Sequence, residues 1–180
     1  MSSGRGDLVC ACPERYPDWD GRDIDLGGHC VHILPIPTLL HMPLGYELYL
    51  KRQYEAVKAL QLEEEWPNLV LMRTGMLRGE IMRLLQAARS PSHHVAYLPR
   101  PFHVRGKLHG GDVGTMRNAI REMQMTLLDS GKMPKELYIG YLTCPLCLEA
   151  KGGNKILLVR RWTASALLKE RRSKQAVNGR

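Results

Sequence analysis

The sequence predicts a mixed α/β fold in which helices cover a sheet. Segments with apolar residues every three or four positions alternate with short segments rich in β-branched and aromatic residues. That alternation is typical of strand–helix–strand units around one core. The chain has 180 residues, of which 44% are hydrophobic, enough for one such core. No run of about eighteen apolar residues is present, so no transmembrane helix is predicted.

The first strand and helix are predicted between residues 31 and 65. Residues 31–37 are expected to form a short strand that ends at two prolines. The helix, residues 45–65, ends before Trp66-Pro67 because a proline disfavours helical backbone in the residue before it. Its apolar stripe consists of Leu50, Tyr54, Val57 and Leu60.

A second strand and helix are predicted between residues 68 and 90. Residues 68–73 are apolar at consecutive positions, which predicts a strand covered on both faces. Thr74 is positioned to cap the next helix. The stripe of that helix consists of Leu77, Ile81, Leu84 and Ala88.

The second half of the chain is predicted to contain four strands and two helices. Asp112 caps a helix that ends at residues 129–131, and a basic helix follows from Trp162 to about residue 174. The stripe of the first helix consists of Met116, Ile120, Met123 and Leu127. The predicted strands are residues 94–98, 102–108, 136–142 and 155–160.

These elements divide the chain into three predicted parts. Residues 1–30 form an acidic arm, residues 31–162 an α/β core, and residues 163–180 a basic C-terminal helix and tail. The element order resembles that of a thioredoxin-like fold. Because the Cys-x-x-Cys pair lies elsewhere than the redox site of that fold, the resemblance implies no redox activity.

The segment Thr143-Cys144-Pro145-Leu146-Cys147 carries the main chemical signal. Two thiolates separated by two residues can bind one tetrahedral metal ion through a tight turn. Strand-forming residues lie on both sides, and Gly152-Gly153 forms a turn after the pair. Over residues 137–161 this arrangement resembles half of a zinc ribbon, which implies a zinc ion. A redox-active pair is the competing interpretation, but the short stretch before the glycines leaves no room for the helix that such a pair needs.

A closed zinc site needs four ligands, and a second pair lies near the N-terminus. The predicted ligands are Cys10, Cys12, Cys144 and Cys147. His29, Cys30 and His32 are alternative ligands. An iron–sulfur cluster also accepts four thiolates, but the ribbon-like context favours zinc. Reduced cysteines without a metal are the remaining interpretation.

The net charge of +8 is concentrated at the C-terminus. Residues 1–150 carry 17 basic and 17 acidic side chains, whereas residues 151–180 carry nine basic and one acidic. The balanced body argues against a dedicated nucleic-acid module. The basic segment predicts docking on a protein partner, with nucleic acid as an alternative. A solvated end that aids solubility is the plain interpretation.

A second candidate site is predicted from basic residues near two helix starts. Gly110-Gly111 leads into the helix that Asp112 caps, where backbone N–H groups can bind a phosphate or carboxylate. The two helix starts would bring the basic side chains together if they share one sheet edge. The predicted anion-binding residues are Arg73, Arg78, Arg100, His103, Arg105, His109, Gly110 and Gly111. The plain alternative is a glycine turn with solvated arginines.

The sequence therefore predicts a cytoplasmic accessory or subunit protein that zinc stabilises and that engages a partner through its basic C-terminal segment. An enzyme acting on an anionic small molecule at the Arg/His site is the alternative, and nucleic-acid binding through residues 151–180 is a third hypothesis. Five cysteines favour a reducing compartment, and no signal peptide is recognised. Neither Gly-x-Ser-x-Gly nor His-Glu-x-x-His occurs, so no catalytic residue is assigned.

Overall fold

A computed structural model describes residues 10–87 and 89–166, which form one large sheet and two helices. The helices are α1 (Tyr46–Ala59) and α2 (Val113–Asp129). The strands are β1 (Asp23–Asp25), β2 (Cys30–Leu39), β3 (Met42–Pro43), β4 (Leu71–Arg73), β5 (Arg78–Leu85), β6 (Val95–Tyr97), β7 (His103–Gly110), β8 (Lys132–Tyr141) and β9 (Lys155–Ala164). Their order is β1-β7-β9-β8-β4-β5-β2-β3, and β6 also pairs with β2. Neither helix is long and apolar enough to span a membrane.

The mixed α/β composition is confirmed, but the predicted strand–helix–strand alternation is wrong. All pairings between these named strands are antiparallel. Instead, the sheet has two halves of the same topology. The elements β2, α1, β4 and β5 form one half, and β7, α2, β8 and β9 form the other. The halves meet where β4 pairs with β8, although the sequence shows no internal repeat.

Both helices lie on one face of the sheet. Met72 of β4 and Ile139 of β8 are register partners, so their side chains lie on the same face. Met72 belongs to the core cluster against which Tyr46 and Leu50 of α1 pack. Ile139 packs against the cluster that α2 forms with β9. The opposite face carries the largest core cluster, which the N-terminal arm covers.

The main error of the sequence prediction concerns residues 77–88. They were expected to form a helix after the cap Thr74, but residues 78–85 form β5, and Ala88 lies outside the described residues. The strand lies between β4 and β2, so Ile81, Met82 and Leu84 are all buried. A strand buried on both faces is apolar at consecutive positions, and such a run also satisfies helical spacing.

Strand β2 continues past the prolines that were expected to end it. The N–H of Ile33 donates to the carbonyl oxygen of His94, on the side of β2 away from β5. Pro35 and Pro37, two and four residues later, have the same orientation and remain in register with β5. Their missing N–H groups therefore cost no hydrogen bond to β5.

Helix α1 is shorter than predicted and buries a polar residue. It ends at Ala59, and Tyr54 of the predicted stripe is exposed. Gln53 is buried instead and donates to the carbonyl oxygens of His32 (3.0 Å) and Ile81 (3.1 Å). The stripe was misjudged because an amide that satisfies backbone carbonyls can replace an apolar side chain.

Gln53 belongs to a chain of buried polar groups beneath α1, formed by Glu64, Arg83, Gln53 and His32. Arg83 donates from Nε to Gln53 Oε1 at 3.0 Å and from Nη1 to the Glu64 carboxylate at 2.9 Å. The arginine and glutamate side chains are only 5% and 10% exposed. We call this set the buried polar chain.

The second half agrees better with the sequence. Asp112 caps α2 by accepting a hydrogen bond from the Thr115 N–H at 2.9 Å, and the predicted stripe faces the core. The four strands predicted in this half are present as β6, β7, β8 and β9. The predicted helix from Trp162 is wrong at its start, since β9 continues to Ala164. Residues 167–174 of that prediction lie outside the described residues.

The N-terminal arm runs along β7. Its strand β1 pairs with β7, and the Asp23 carboxylate accepts hydrogen bonds from Arg105 (3.0 Å) and Lys132 (2.6 Å). Leu26 is buried in the core, with Trp19 packed against the same cluster. The acidic arm is therefore bound to the core by ion pairs and apolar contacts.

Candidate metal centre

The Cys-x-x-Cys pair lies in the connection between β8 and β9, which are antiparallel neighbours. Thr143 Oγ1 accepts from the Lys155 N–H at 2.9 Å and so joins the two ends of this connection. The Cys144 carbonyl oxygen accepts from the Cys147 N–H (3.1 Å) and the Leu148 N–H (3.0 Å). The Cys144 N–H donates to Cys147 Sγ at 3.3 Å. These hydrogen bonds form a tight turn that places the two sulfurs 3.9 Å apart.

The N-terminal arm brings the second cysteine pair to this turn. Lys151 Nζ donates to the carbonyl oxygens of Pro13 (2.7 Å) and Leu142 (3.3 Å) and thereby holds the arm on the hairpin. Cys10 Sγ lies 3.7 Å from Cys144 Sγ. The Sγ atoms of Cys10, Cys12, Cys144 and Cys147 all lie within 4.8 Å of one another. The prediction that the two pairs meet is confirmed.

The spacing of the sulfurs fits a tetrahedral ion. Two thiolates bound to zinc at about 2.3 Å lie roughly 3.8 Å apart at the tetrahedral angle. The Sγ–Sγ distances from Cys144 to Cys10 (3.7 Å) and to Cys147 (3.9 Å) match this value. A disulfide would require about 2.05 Å. The four sulfurs can therefore surround one metal ion.

The thiols of Cys144 and Cys12 differ in their tendency to ionise. Burial raises the pKa of Cys144, but hydrogen bonds from the N–H groups of Leu146 and Cys147 and from the Cys10 and Cys12 thiols outweigh it, so the pKa falls to about 7. Burial and the neighbouring thiols raise the pKa of Cys12. The Cys144 thiolate thus forms near neutral pH, whereas the Cys12 thiol tends to keep its proton. A bound cation would favour the deprotonation of all four.

The alternative ligands named from the sequence lie outside this group of four. His29 Nδ1 is 3.1 Å from the Leu26 carbonyl oxygen. Cys30 packs in a core cluster with Val57 and Leu85. His32 is fully buried within the sheet.

The structure separates the predicted anion-binding residues. Arg73 and Arg78 lie on β4 and β5, where Arg73 donates two hydrogen bonds of 3.0 Å to Glu80. His103 and Arg105 lie on β7, three strands from β4, or about 14 Å at the usual strand spacing. The expected convergence of two helix starts is wrong because no helix begins near Thr74 within the described chain.

The members of this set in the second half have contacts of their own. Arg105 pairs with Asp23, and the His103 ring stacks on Trp162 with a centroid separation of 4.7 Å. Arg100 lies against Gly27 and Gly28. At the start of α2, beside Gly110 and Gly111, His109 Nε2 lies 3.0 Å from Thr115 Oγ1. Anion binding by these residues stays a prediction.

A cavity of about 300 Å³ opens across β4, β8 and β9. It is lined by His41, Arg73, Thr74, Glu136, Leu137, Ile139 and Arg160. Arg160 Nε is buried without a hydrogen-bond partner in the described chain, and burial lowers the pKa of this guanidinium. The sequence prediction missed Arg160, although an arginine that directly follows the apolar run 156–159 was a usable signal.

The basic residues that the structure describes in the C-terminal segment, all before position 167, do not form one surface. Lys151 binds the arm, Arg160 lines the cavity, and Arg161 donates to Glu136 at 3.2 Å. The partner-binding prediction therefore depends on the five basic residues after position 166, which lie outside the described residues.

Two helices on one face of an antiparallel sheet, with four cysteines gathered at one hairpin, define a small α/β protein with a candidate metal centre. The chain belongs to the bacterial hydrolase family, whose model matches residues 4–162. No curated protein matches the chain.

Solved structures share the fold at low sequence identity. The crystal structure of the EcmrR C-terminal domain matches with a TM-score of 0.57 and 11% identity, over 79% of this chain and 96% of that one. EcmrR in the cryo-EM structure of its DNA complex matches with a TM-score of 0.54 and 11% identity, over 79% of this chain and 57% of that one. At this identity, the similarity is one of fold.

Proposed function

We propose that the four cysteines bind one zinc ion, and that this ion fastens the N-terminal arm to the β8–β9 hairpin of a hydrolase-family domain. The Sγ–Sγ distances of 3.7 Å and 3.9 Å support the proposal most directly. Four thiolates fill the coordination sphere of zinc and leave no position for a reacting water, which is typical of structural sites. The role of the ion is therefore to stabilise the fold.

The proposed ion has a large effect on the unfolded chain. Cys10 and Cys144 are 134 residues apart, so a bound ion would close a long loop. By analogy with a disulfide, closing a loop of this length stabilises the folded state by about 4–5 kcal/mol. Free energy of zinc binding adds to stability because the four-sulfur site exists only in the folded chain.

Elemental analysis of protein purified without a metal-affinity tag tests this proposal. We expect one zinc per chain, lost in Cys144→Ser and kept in Cys30→Ala, which removes a buried thiol outside the site. Replacement by Co²⁺ should give the visible spectrum of a tetrahedral thiolate site in the wild type and in Cys30→Ala only. Folded protein that contains no metal and gives no such spectrum would disprove the proposal. Detection of iron, together with visible absorption that depends on bound sulfide, would instead indicate an iron–sulfur cluster at this site.

A second candidate function is binding and hydrolysis of an anionic small molecule at the cavity near Arg160. The buried, partnerless Nε of this half-buried arginine supports it, because a buried donor gains most from an acceptor on a ligand. Arg73 lines the same cavity, but its charge is paired with Glu80, so Arg160 would hold the anion. Family membership is consistent with a hydrolytic reaction.

Two arginine variants provide a matched test. Isothermal titration with a panel of small phosphate and carboxylate compounds should show binding to the wild type and to Arg117→Met, at an exposed position on α2 outside the cavity. Binding should be lost in Arg160→Met, because the buried Nε donor is removed. Equal binding by both variants, or no binding to the wild type, would refute this candidate while leaving the zinc proposal untouched.

A further inference from the structure

One end of the first half carries a concentration of exposed apolar side chains, which we call the apolar tip. Its members are between 49% and 70% exposed. They are Leu39, Leu40, Met42, Leu44, Leu48, Met76 and Leu77. Such side chains normally occur singly on the surface of a soluble protein.

The tip is one continuous structure. The N–H of Leu40 donates to the Met76 carbonyl oxygen at 2.9 Å, and the N–H of Thr38 donates to the Leu77 carbonyl oxygen at 3.2 Å. These bonds join the β2–β3 hairpin to the turn between β4 and β5. Leu44 follows the hairpin, and Leu48 lies in the first turns of α1. The apolar side chains are thus held on a hydrogen-bonded framework.

The backbone at the tip is strained in a way that folding does not require. Leu40 and His41 form the two-residue β2–β3 turn with φ angles of 49° and 67°. Both central residues of such a turn need positive φ, which is why Asn-Gly is preferred there. A leucine in this conformation is unfavourable, and its side chain is 67% exposed. An exposed apolar residue at this position contributes little to the fold of the single chain.

The exposed area of the tip suits a protein interface. Taking roughly 180 Å² for a fully exposed leucine or methionine, the seven residues expose about 800 Å² in total. Leu48 faces away from the sheet, since Tyr46 and Leu50 pack on the sheet. Leu39 and Met42, by contrast, lie on the sheet face opposite α1, so one partner does not cover all seven. Without Leu48 the tip exposes about 660 Å², near the lower end of the area that each partner buries in a stable interface.

The rim of the tip is self-complementary in charge. Glu47 and Arg78 are exposed beside Leu48 and Leu77, and neither has an ion-pair partner among residues 10–87 and 89–166. In a two-fold dimer, Glu47 of each copy can pair with Arg78 of the other copy, so the interface can contain two ion pairs. A rim with charges of one sign would repel a second copy and would favour a partner of opposite charge.

We infer that the apolar tip is the interface of a two-fold symmetric dimer of this chain. Side chains carry this interface, since Pro35 and Pro37 on the adjoining outer edge of β2 lack the N–H groups that pairing of the two sheets would use. The interface lies in the first half of the sheet, whereas the four cysteines lie at the hairpin of the second half. The two proposals therefore rest on different residues, with Cys12 near enough to Tyr46 at the start of α1 to act on it electrostatically.

Sedimentation velocity over a concentration series tests the inference. We expect a monomer–dimer equilibrium in the wild type. The double variant Leu40→Asn/His41→Gly should weaken the dimer about 100-fold or more, because a central apolar contact is lost twice across the two-fold axis. The same variant carries the preferred turn sequence, so its isolated monomer should melt at the same temperature as the wild type or higher. If Leu40 only stabilised the fold of the single chain, the double variant would instead lower the melting temperature of the monomer.

Two further variants complete the test. Leu77→Asp should also abolish the dimer, whereas Met125→Asp, at a position on α2 with 52% exposure, should leave it intact. A wild type that stays monomeric throughout the series would overturn the inference and leave the tip to another partner, such as a different protein or a lipid surface. A dimer that survives both tip variants would overturn it as well.

Discussion

Replacing His32 by asparagine should abolish much of the loss of stability that the protein shows between pH 7 and pH 5. The His32 ring is fully buried at the end of the buried polar chain. Its Nδ1 lies 3.3 Å from Gln53 Nε2, and its Nε2 has no partner within the described residues. Burial first, and then the charges of His94 and Arg83, lower the pKa of His32 to about 4.

The size and sign of the effect follow from this pKa. An unfolded histidine has a pKa of about 6.5, so the unfolded chain binds more protons than the folded chain between about pH 6.5 and pH 4. The stabilisation is fully present above pH 6.5 and is lost as the pH falls towards 4. Proton linkage gives a loss of about 2 kcal/mol in the free energy of unfolding between pH 7 and pH 5.

Urea denaturation at the two pH values measures this loss. His32→Asn is the suitable change because the asparagine Oδ1 can take the place of Nδ1 beside Gln53. The drop from pH 7 to pH 5 should be about 2 kcal/mol smaller in His32→Asn than in the wild type. His41→Asn, at an exposed histidine, should behave like the wild type. All three proteins keep the four cysteines, so metal release contributes equally. An unchanged pH dependence in His32→Asn would show that the buried ring does not oppose protonation.

Two further predictions concern packing and charge. A Cβ at Gly106 would overlap the Trp19 carbonyl group, so Gly106→Ala should lower the free energy of unfolding by about 1–3 kcal/mol and expose the arm to proteases. Gly110→Ala should have neither effect, because its added Cβ would meet nothing closer than 4.0 Å. Equal proteolysis of the two variants would contradict this prediction. Arg83→Met should cost about 3–5 kcal/mol in urea denaturation because it leaves the buried Glu64 carboxylate unpaired. Adding Glu64→Gln should recover much of that loss, and a single-variant cost below about 1 kcal/mol would argue against a buried charge.

Local signals in the sequence predicted local structure well. Asp112 caps α2 as expected because an aspartate side chain can accept from the N–H groups of the first turn. Apolar residues at every second position identified β7, and apolar residues at every third or fourth position identified α2. Both patterns arise because each element buries only one face. The element β5 was missed since both of its faces are buried, which removes the alternation that identifies a strand.

Contacts between segments that lie far apart in the chain were harder to predict from the sequence. The meeting of Cys10 with Cys144 was predicted because cysteine chemistry implies a common metal ion over any chain separation. Nothing comparable indicated that β4 pairs with β8, or that Arg73 and Arg105 would each be paired with a carboxylate. The anion-site prediction treated these arginines as available, whereas their partners come from other strands.

The position of the arm has a consequence for how the chain folds during synthesis. The arm leaves the ribosome before the residues that bind it: Arg105 follows Asp23 by 82 residues, and Cys144 follows Cys10 by 134 residues. Strands β2 and β5 of the first half can pair before Arg105 is made and long before Cys144 is made. The N-terminal thiols therefore lack Cys144 and Cys147 through most of translation, and oxidation or premature metal binding in that interval would prevent the proposed zinc site from forming.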